Sequence, residues 1–122
     1  MAEKNLETAL LLDFYGEMLT AKQREAIDYY YNDDLSLAEI AEHEGITRQG
    51  VRDNIKRGEA SLSEMENKLG LVQRFRSMRQ TIARISDDAA KIAELNERYC
   101  ISTEIGDLAD KINKRAQKLM TD

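Results

Sequence analysis

The sequence predicts an all-α protein, and three observations carry that reading. Its 122 residues include no proline, and helix-forming residues dominate a chain that is 42% hydrophobic and 34% charged. Apolar residues recur at spacings of three and four over most of the length. Capping residues stand in front of successive apolar stripes and in register with them. A chain of this size has room for one compact core and is too short for two ordinary domains.

The first helix is expected over about 3–19, with Leu6, Leu10, Phe14 and Met18 on one face. Thr20 and Gln23 form a capping box, "TAKQ", before a helix whose buried stripe is Ala26, Ile27, Tyr30 and Tyr31. That helix ends at Asn32, Asp33 and Asp34, whose side chains favour turns by bonding nearby backbone. Ser36 and Glu39 form a second box, "SLAE", ahead of Leu37, Ile40 and Ala41. Gly45 suits the left-handed position just past a helix C-terminus, and Ile46 is expected to anchor in the core. Thr47 then caps a helix striped by Val51, Ile55, Gly58, Leu62, Met65 and Leu69. Two helices joined by so few residues predict a helix-turn-helix.

Past Gly70 the pattern becomes heptad. Leu71, Phe75, Met78, Ile82, Ile85, Ala89, Ile92, Asn96 and Tyr99 alternate steps of four and three, the seam of a left-handed coiled coil. Asn96 stands where a buried polar residue can fix register. Ser102 or Thr103 caps a last helix bearing Ile105, Leu108, Ile112, Ala116 and Leu119, and "RYCIST" is the expected bend of a hairpin. The predicted organisation is a helix-turn-helix domain with an N-terminal helix over 1–70, and a C-terminal helical extension over 71–122. Such a seam calls for a partner, so a homodimer is expected. The alternative is a hairpin that buries its seam against itself and the first helix.

Charge is unevenly distributed within the net −5. Residues 1–45 balance to −8, residues 46–86 to +5 and residues 87–122 to −2. Overall acidity argues against indiscriminate adhesion to nucleic acid, while a local basic patch still attracts phosphates because salt screens distant charge. The longest apolar run, Ala9 to Leu12, is far short of a membrane span, and the first residues lack the pattern of a signal peptide. A single cysteine, Cys100, offers no internal disulfide and points to a reducing cytoplasm. One cysteine and one histidine, His43, predict no metal site; no cofactor is expected and no catalytic motif appears, so an enzyme is not expected.

The residues with chemistry to offer lie on the helix opened by Thr47. If Val51 and Ile55 face the core, Arg48, Gln49, Arg52, Asp53 and Lys56 face outward, with Arg57 beside them. Arginine can bond both major-groove acceptors of guanine, and glutamine can pair with adenine. The plainer reading of such a row is a solvated helix face; the caps and glycine turn favour nucleic-acid contact. A secondary basic surface is proposed by Lys68, Arg74, Arg76, Arg79 and Arg84, against the plainer reading of basic flanks on a coiled coil. The tyrosines at 29–31 fit core packing better than base stacking.

From Leu10 to about Phe75 the chain resembles the YlxM family of small bacterial proteins. The resemblance rests on "LTAKQRE", "DLSLAEIAE", "TRQGVRDNIKR" and "EMENKLGL", flanked by "DFY" and "YYYNDDLS". It implies a helix-turn-helix similar to region four of sigma factors, and an accessory or regulatory role in the signal recognition particle pathway. The partners it implies are the particle's RNA, its GTPase and the receptor, with Arg48, Gln49, Arg52, Lys56 and Arg57 as contact residues. Beyond Phe75 the heptad-bearing C-terminus is more extended than the family's usual tail. A DNA-binding regulator and a protein-interaction module built on the same scaffold are the other two function classes.

Overall fold

The structure is a computed structural model and describes residues 6–121. It is all-α: α1 (Leu6–Tyr15), a 3-10 turn (Gly16–Met18), α2 (Ala21–Tyr31), α3 (Leu37–Glu44), α4 (Arg48–Leu69), α5 (Leu71–Tyr99) and α6 (Thr103–Thr121). The expected start of the first helix, at Glu3, lies outside the described residues. Two compact units divide the chain between Val72 and Gln73, so α5 begins in the first and continues through the second. Among the described residues no helix is long and apolar enough to cross a membrane.

Caps set the helix starts in the first unit. The hydroxyls of Thr20 and Ser36 accept from the amides of Gln23 and Glu39, and both boxes close reciprocally. Thr47 accepts from the Gly50 amide at 3.0 Å; with glycine in the third helical position no reciprocal bond can form. Gly45 takes the left-handed conformation at φ 70°, and the amides of Gly45 and Ile46 both bond the Ala41 carbonyl, reversing the chain between α3 and α4. Ile46 does not anchor in the core as expected. It stays 40% exposed, because this reversal leaves it over the first turn of α4 beside Gly50.

The core consists of Leu11, Leu12, Tyr15, Ala26, Ile27, Tyr30, Ile40, Ala41, Val51, Ile55, Leu62 and Val72. Burial of these apolar side chains is the main force holding the four helices together, at about 1.5–3 kcal/mol for each large one. On α1 the buried set is Leu11, Leu12 and Tyr15, not the expected row, whose ends Leu6 and Met18 are 87% and 69% exposed. Gly58 lies where α2 and α4 come closest: a β-carbon there would collide with Ile27 Cδ1, which explains a glycine in mid-helix. Tyr30 is buried, whereas Tyr31 is half-buried with its hydroxyl donating to Glu59. Burial first, and the Glu59 carboxylate second, raise the Tyr31 hydroxyl above the usual tyrosine range.

Within the first unit, Tyr15 also caps the start of α5. Its hydroxyl donates to Glu66 Oε1 at 2.6 Å and accepts from the Leu71 amide at 3.1 Å, while Glu66 Oε1 accepts from the Val72 amide at 3.0 Å. Side chains from α1 and α4 thereby satisfy amides that have no partner within the first turn of α5. Burial, followed by the Glu66 carboxylate, raises the Tyr15 hydroxyl above its ordinary value.

The second unit is an antiparallel hairpin of α5 and α6. Its seam is built from small and polar residues. Ser86 and Ala89 of α5 are buried with Ala109 and Ala116 of α6, while Ile82, Ala93, Asn96, Gly106, Asn113 and Met120 are half-buried. Ser86 Oγ donates to Asn113 and accepts from Gln117 at 2.9 Å. The Asn96 amide group is engaged at the bend, where it accepts from the Ser102 amide at 2.9 Å and donates to the Ser102 carbonyl at 2.8 Å. The expected α6 stripe is corrected likewise: Ala116 is buried, but Ile105, Leu108, Ile112 and Leu119 are exposed.

At that bend Cys100 adopts φ 50°, with Ile101 bonding back to the Asn96 carbonyl. This is the left-handed position that favours glycine, and a side chain there costs about 1–2 kcal/mol. Cys100→Gly is therefore expected to leave stability unchanged or raise it by up to ~1 kcal/mol, the gain being reduced by glycine's freedom in the unfolded chain. Denaturant unfolding of the variant checks this; a clear loss would show that the thiol contributes more than the geometry allows.

Candidate nucleic-acid interface

The helix-turn-helix is α3, the turn Gly45–Thr47, and the first half of α4. Val51, Ile55, Gly58 and Leu62 put one side of α4 entirely into the core. The opposite side is consequently forced outward. At about 100° per residue, Gln49 and Asp53 stand directly opposite the buried row, Lys56 and Arg57 flank them on either side, and Arg52 and Arg48 lie further round on the side of Lys56. All six are exposed. Thus Arg48, Gln49, Arg52 and Lys56 form one continuous patch at the N-terminal end, while Arg57 is separated from the two arginines by the Gln49–Asp53 ridge.

That ridge is a feature the charge pattern did not reveal. Gln49 Nε2 donates to Asp53 Oδ1 at 3.0 Å. The bond occupies one amide hydrogen and leaves the other, together with the carbonyl oxygen, for an outside group. Adenine presents the matching acceptor and donor in the major groove. Asp53 therefore orients Gln49 besides repelling phosphate. The spacing of four residues was the available signal, since such pairs share a helix face.

The five residues of the secondary set separate. Lys68 belongs to the first unit and pairs with Glu64 at 3.0 Å. Arg79 donates to the Met120 carbonyl at 2.8 Å, and its guanidinium lies 5.7 Å from the centre of the Phe75 ring. It is thereby engaged at the C-terminal end of α6, where a cation is favoured. Arg74, Arg76 and Arg84 are exposed but leave the α5 axis in different directions. The tyrosines offer no stacking platform: Tyr29 is half-buried and shares a 3.0 Å hydrogen bond and an edge-on ring contact with His43.

A capped helix-turn-helix with a basic outer face on its second helix defines the class: a helix-turn-helix protein. The family model that matches residues 2–100 is UPF0122, "helix-turn-helix protein, YlxM / p13 like". A UPF0122 protein of Acetivibrio thermocellus is 44% identical over 118 residues, covering 97% of each chain. UPF0122 proteins of Bacillus thuringiensis and Bacillus mycoides are each 45% identical over 97 residues, 80% of this chain and 88% of theirs. The chain belongs to the UPF0122 family.

Proposed function

We propose that this protein is a non-catalytic accessory or regulatory factor of the cytoplasm that binds nucleic acid through the outward face of α4. The observation that carries this reading is the division of that helix. One side is fully buried at Val51 and Ile55, which leaves Arg48, Gln49, Arg52 and Lys56 as an exposed polar row with no core role. The signal recognition particle, through its RNA, its GTPase or both, is the partner that the sequence's resemblance to YlxM proteins implies. Side chains reach poorly into deep A-form grooves, so contact with RNA would rest on phosphates and shape. The oriented Gln49 favours a second reading, a DNA-binding regulator with direct base readout. A homodimer through the C-terminal helices is part of the proposal.

Titration against particle RNA, random-sequence duplex DNA and the particle GTPase, at several salt concentrations, tests the reading. Saturable RNA binding that weakens with salt is expected. Selection of one duplex sequence would move the assignment to the DNA regulator. Binding to the GTPase with no nucleic-acid binding would overturn the α4 interface.

A further inference from the structure

The hairpin seam uses small side chains and leaves the large apolar ones outside it. On α5 these are Met78, Ile85, Ile92 and Tyr99, each seven residues after the last; on α6 they are Ile105, Ile112 and Leu119, spaced alike. All seven are exposed, between 38% and 66%. At about 100° per residue, each set lies roughly 70–80° round its helix from the seam. Because the two helices run in opposite directions, both sets fall on the same side of the hairpin. The face they make is about 30 Å long at 1.5 Å per residue. Heptad-spaced apolar faces of this kind are what one hairpin contributes to a four-helix bundle.

We propose that this face is covered by the same face of a second copy, with the twofold axis parallel to the helices, so that α5 of each chain lies along α6 of the other. This rests on the homodimer reading above and specifies its surface and orientation. The rims of the face supply the argument. Next round from the apolar set on α5 come Thr81, Asp88 and Leu95; the corresponding edge of α6 carries Leu108 and Arg115. The contacts of Ser86 with Asn113, Asn96 with Ser102, and Arg79 with Met120 fix which residues are level. Asp88 is thereby about one turn from the level of Arg115, within reach of so long a side chain, and Leu95 about one turn from the level of Leu108. These partners lie on opposite outer edges of one hairpin and cannot meet within it. Among the described residues neither Asp88 nor Arg115 has an ion-pair partner. The parallel axis sets Asp88 beside Arg115 of the second copy and Leu95 beside Leu108 of the second copy, each pair occurring twice. An axis across the helices would instead stack α5 on α5 and bring the two Asp88 carboxylates together at the centre, which opposes association.

Sedimentation of the full chain, with helicity followed by circular dichroism, tests this. Wild type should dimerise, and Ile85→Glu with Ile112→Glu should give a helical monomer. Asp88→Arg alone should weaken the dimer roughly tenfold, and adding Arg115→Asp should restore it. As a measurement independent of charge, Leu95→Cys with Leu108→Cys in a Cys100→Ser background should be joined into a covalent dimer by a short bis-maleimide, since an offset of about one turn is too long for a direct disulfide. A wild-type monomer at high concentration overturns both the homodimer and this surface. A dimer indifferent to all four substitutions leaves the homodimer standing and overturns this face. Loss through the glutamates without rescue by the charge exchange, and without the crosslink, overturns the parallel axis.

Discussion

Replacing Ile55 by alanine is expected to lower the unfolding free energy of the first unit by about 2–5 kcal/mol, the range for truncating a buried isoleucine. Ile55 has no exposed surface, and α4, on which it sits, is packed against α1, α2 and α3. The cavity would open within the core cluster that Ile55 shares with Val51, Leu62 and Ile27, all likewise at zero exposure, where close packing limits collapse. A small domain has about 5–15 kcal/mol in total, which makes this loss a large fraction. Urea unfolding followed by circular dichroism gives the number. A loss below about 1 kcal/mol would mean that α4 is not the helix on which the others assemble.

Why Ile55 could be picked out from sequence, and other core residues could not, follows from local chemistry. The starts of α2, α3 and α4 are legible because Thr20, Ser36 and Thr47 bond amides three residues ahead. Such a bond depends on residues within one turn. On α1 the stretch Leu10–Leu12 is apolar on several sides, so spacing alone admits more than one stripe. What selects Leu11 and Tyr15 is distant: Tyr15 meets Glu66 and Leu71, more than fifty positions on. The heptad run misleads for a related reason. Its period is real, but a hairpin can close on any two adjacent columns of that repeat. Here it closes where Ser86, Ala89, Ala109 and Ala116 are buried, which leaves the column of Met78, Ile85 and Ile92 outside.

The candidate interface was legible to the extent that it follows from the buried stripe. Knowing that Val51 and Ile55 point inward is enough to send Arg48, Gln49, Arg52 and Lys56 outward. The place of Arg57, across the Gln49–Asp53 ridge, follows from the same wheel once Gly58 and Leu62 fix its buried edge. The bond from Gln49 to Asp53 is different, since the composition of the face presents Asp53 only as an unwelcome charge. Likewise nothing in the spacing of Arg79 shows that its guanidinium caps α6, because that partner, Met120, is forty-one residues away.

Removing Arg48 and Arg52 together, each to alanine, is expected to weaken nucleic-acid binding by about 1–3 kcal/mol per arginine, roughly ten- to hundredfold each. Both side chains are exposed on one shoulder of α4 and outside the core, so the unfolding midpoint should stay unchanged and folding should not confound the result. The salt dependence separates the two ways the arginines can act. If they neutralise phosphates, the slope of log affinity against log salt should become shallower by about 0.9 for each duplex phosphate left without its arginine, and affinity should fall equally for all sequences. If they read base edges, the slope should hold while preference among sequences disappears. Asp53→Ala sharpens the distinction. Against phosphate it removes a repelling charge and should tighten binding, whereas against adenine it frees Gln49 to rotate and should weaken it. Arg57→Ala serves as the control across the ridge, with a smaller expected effect. Full binding by the double variant, measured by fluorescence anisotropy on an RNA and a DNA that the wild type binds, would place the interface elsewhere on the molecule.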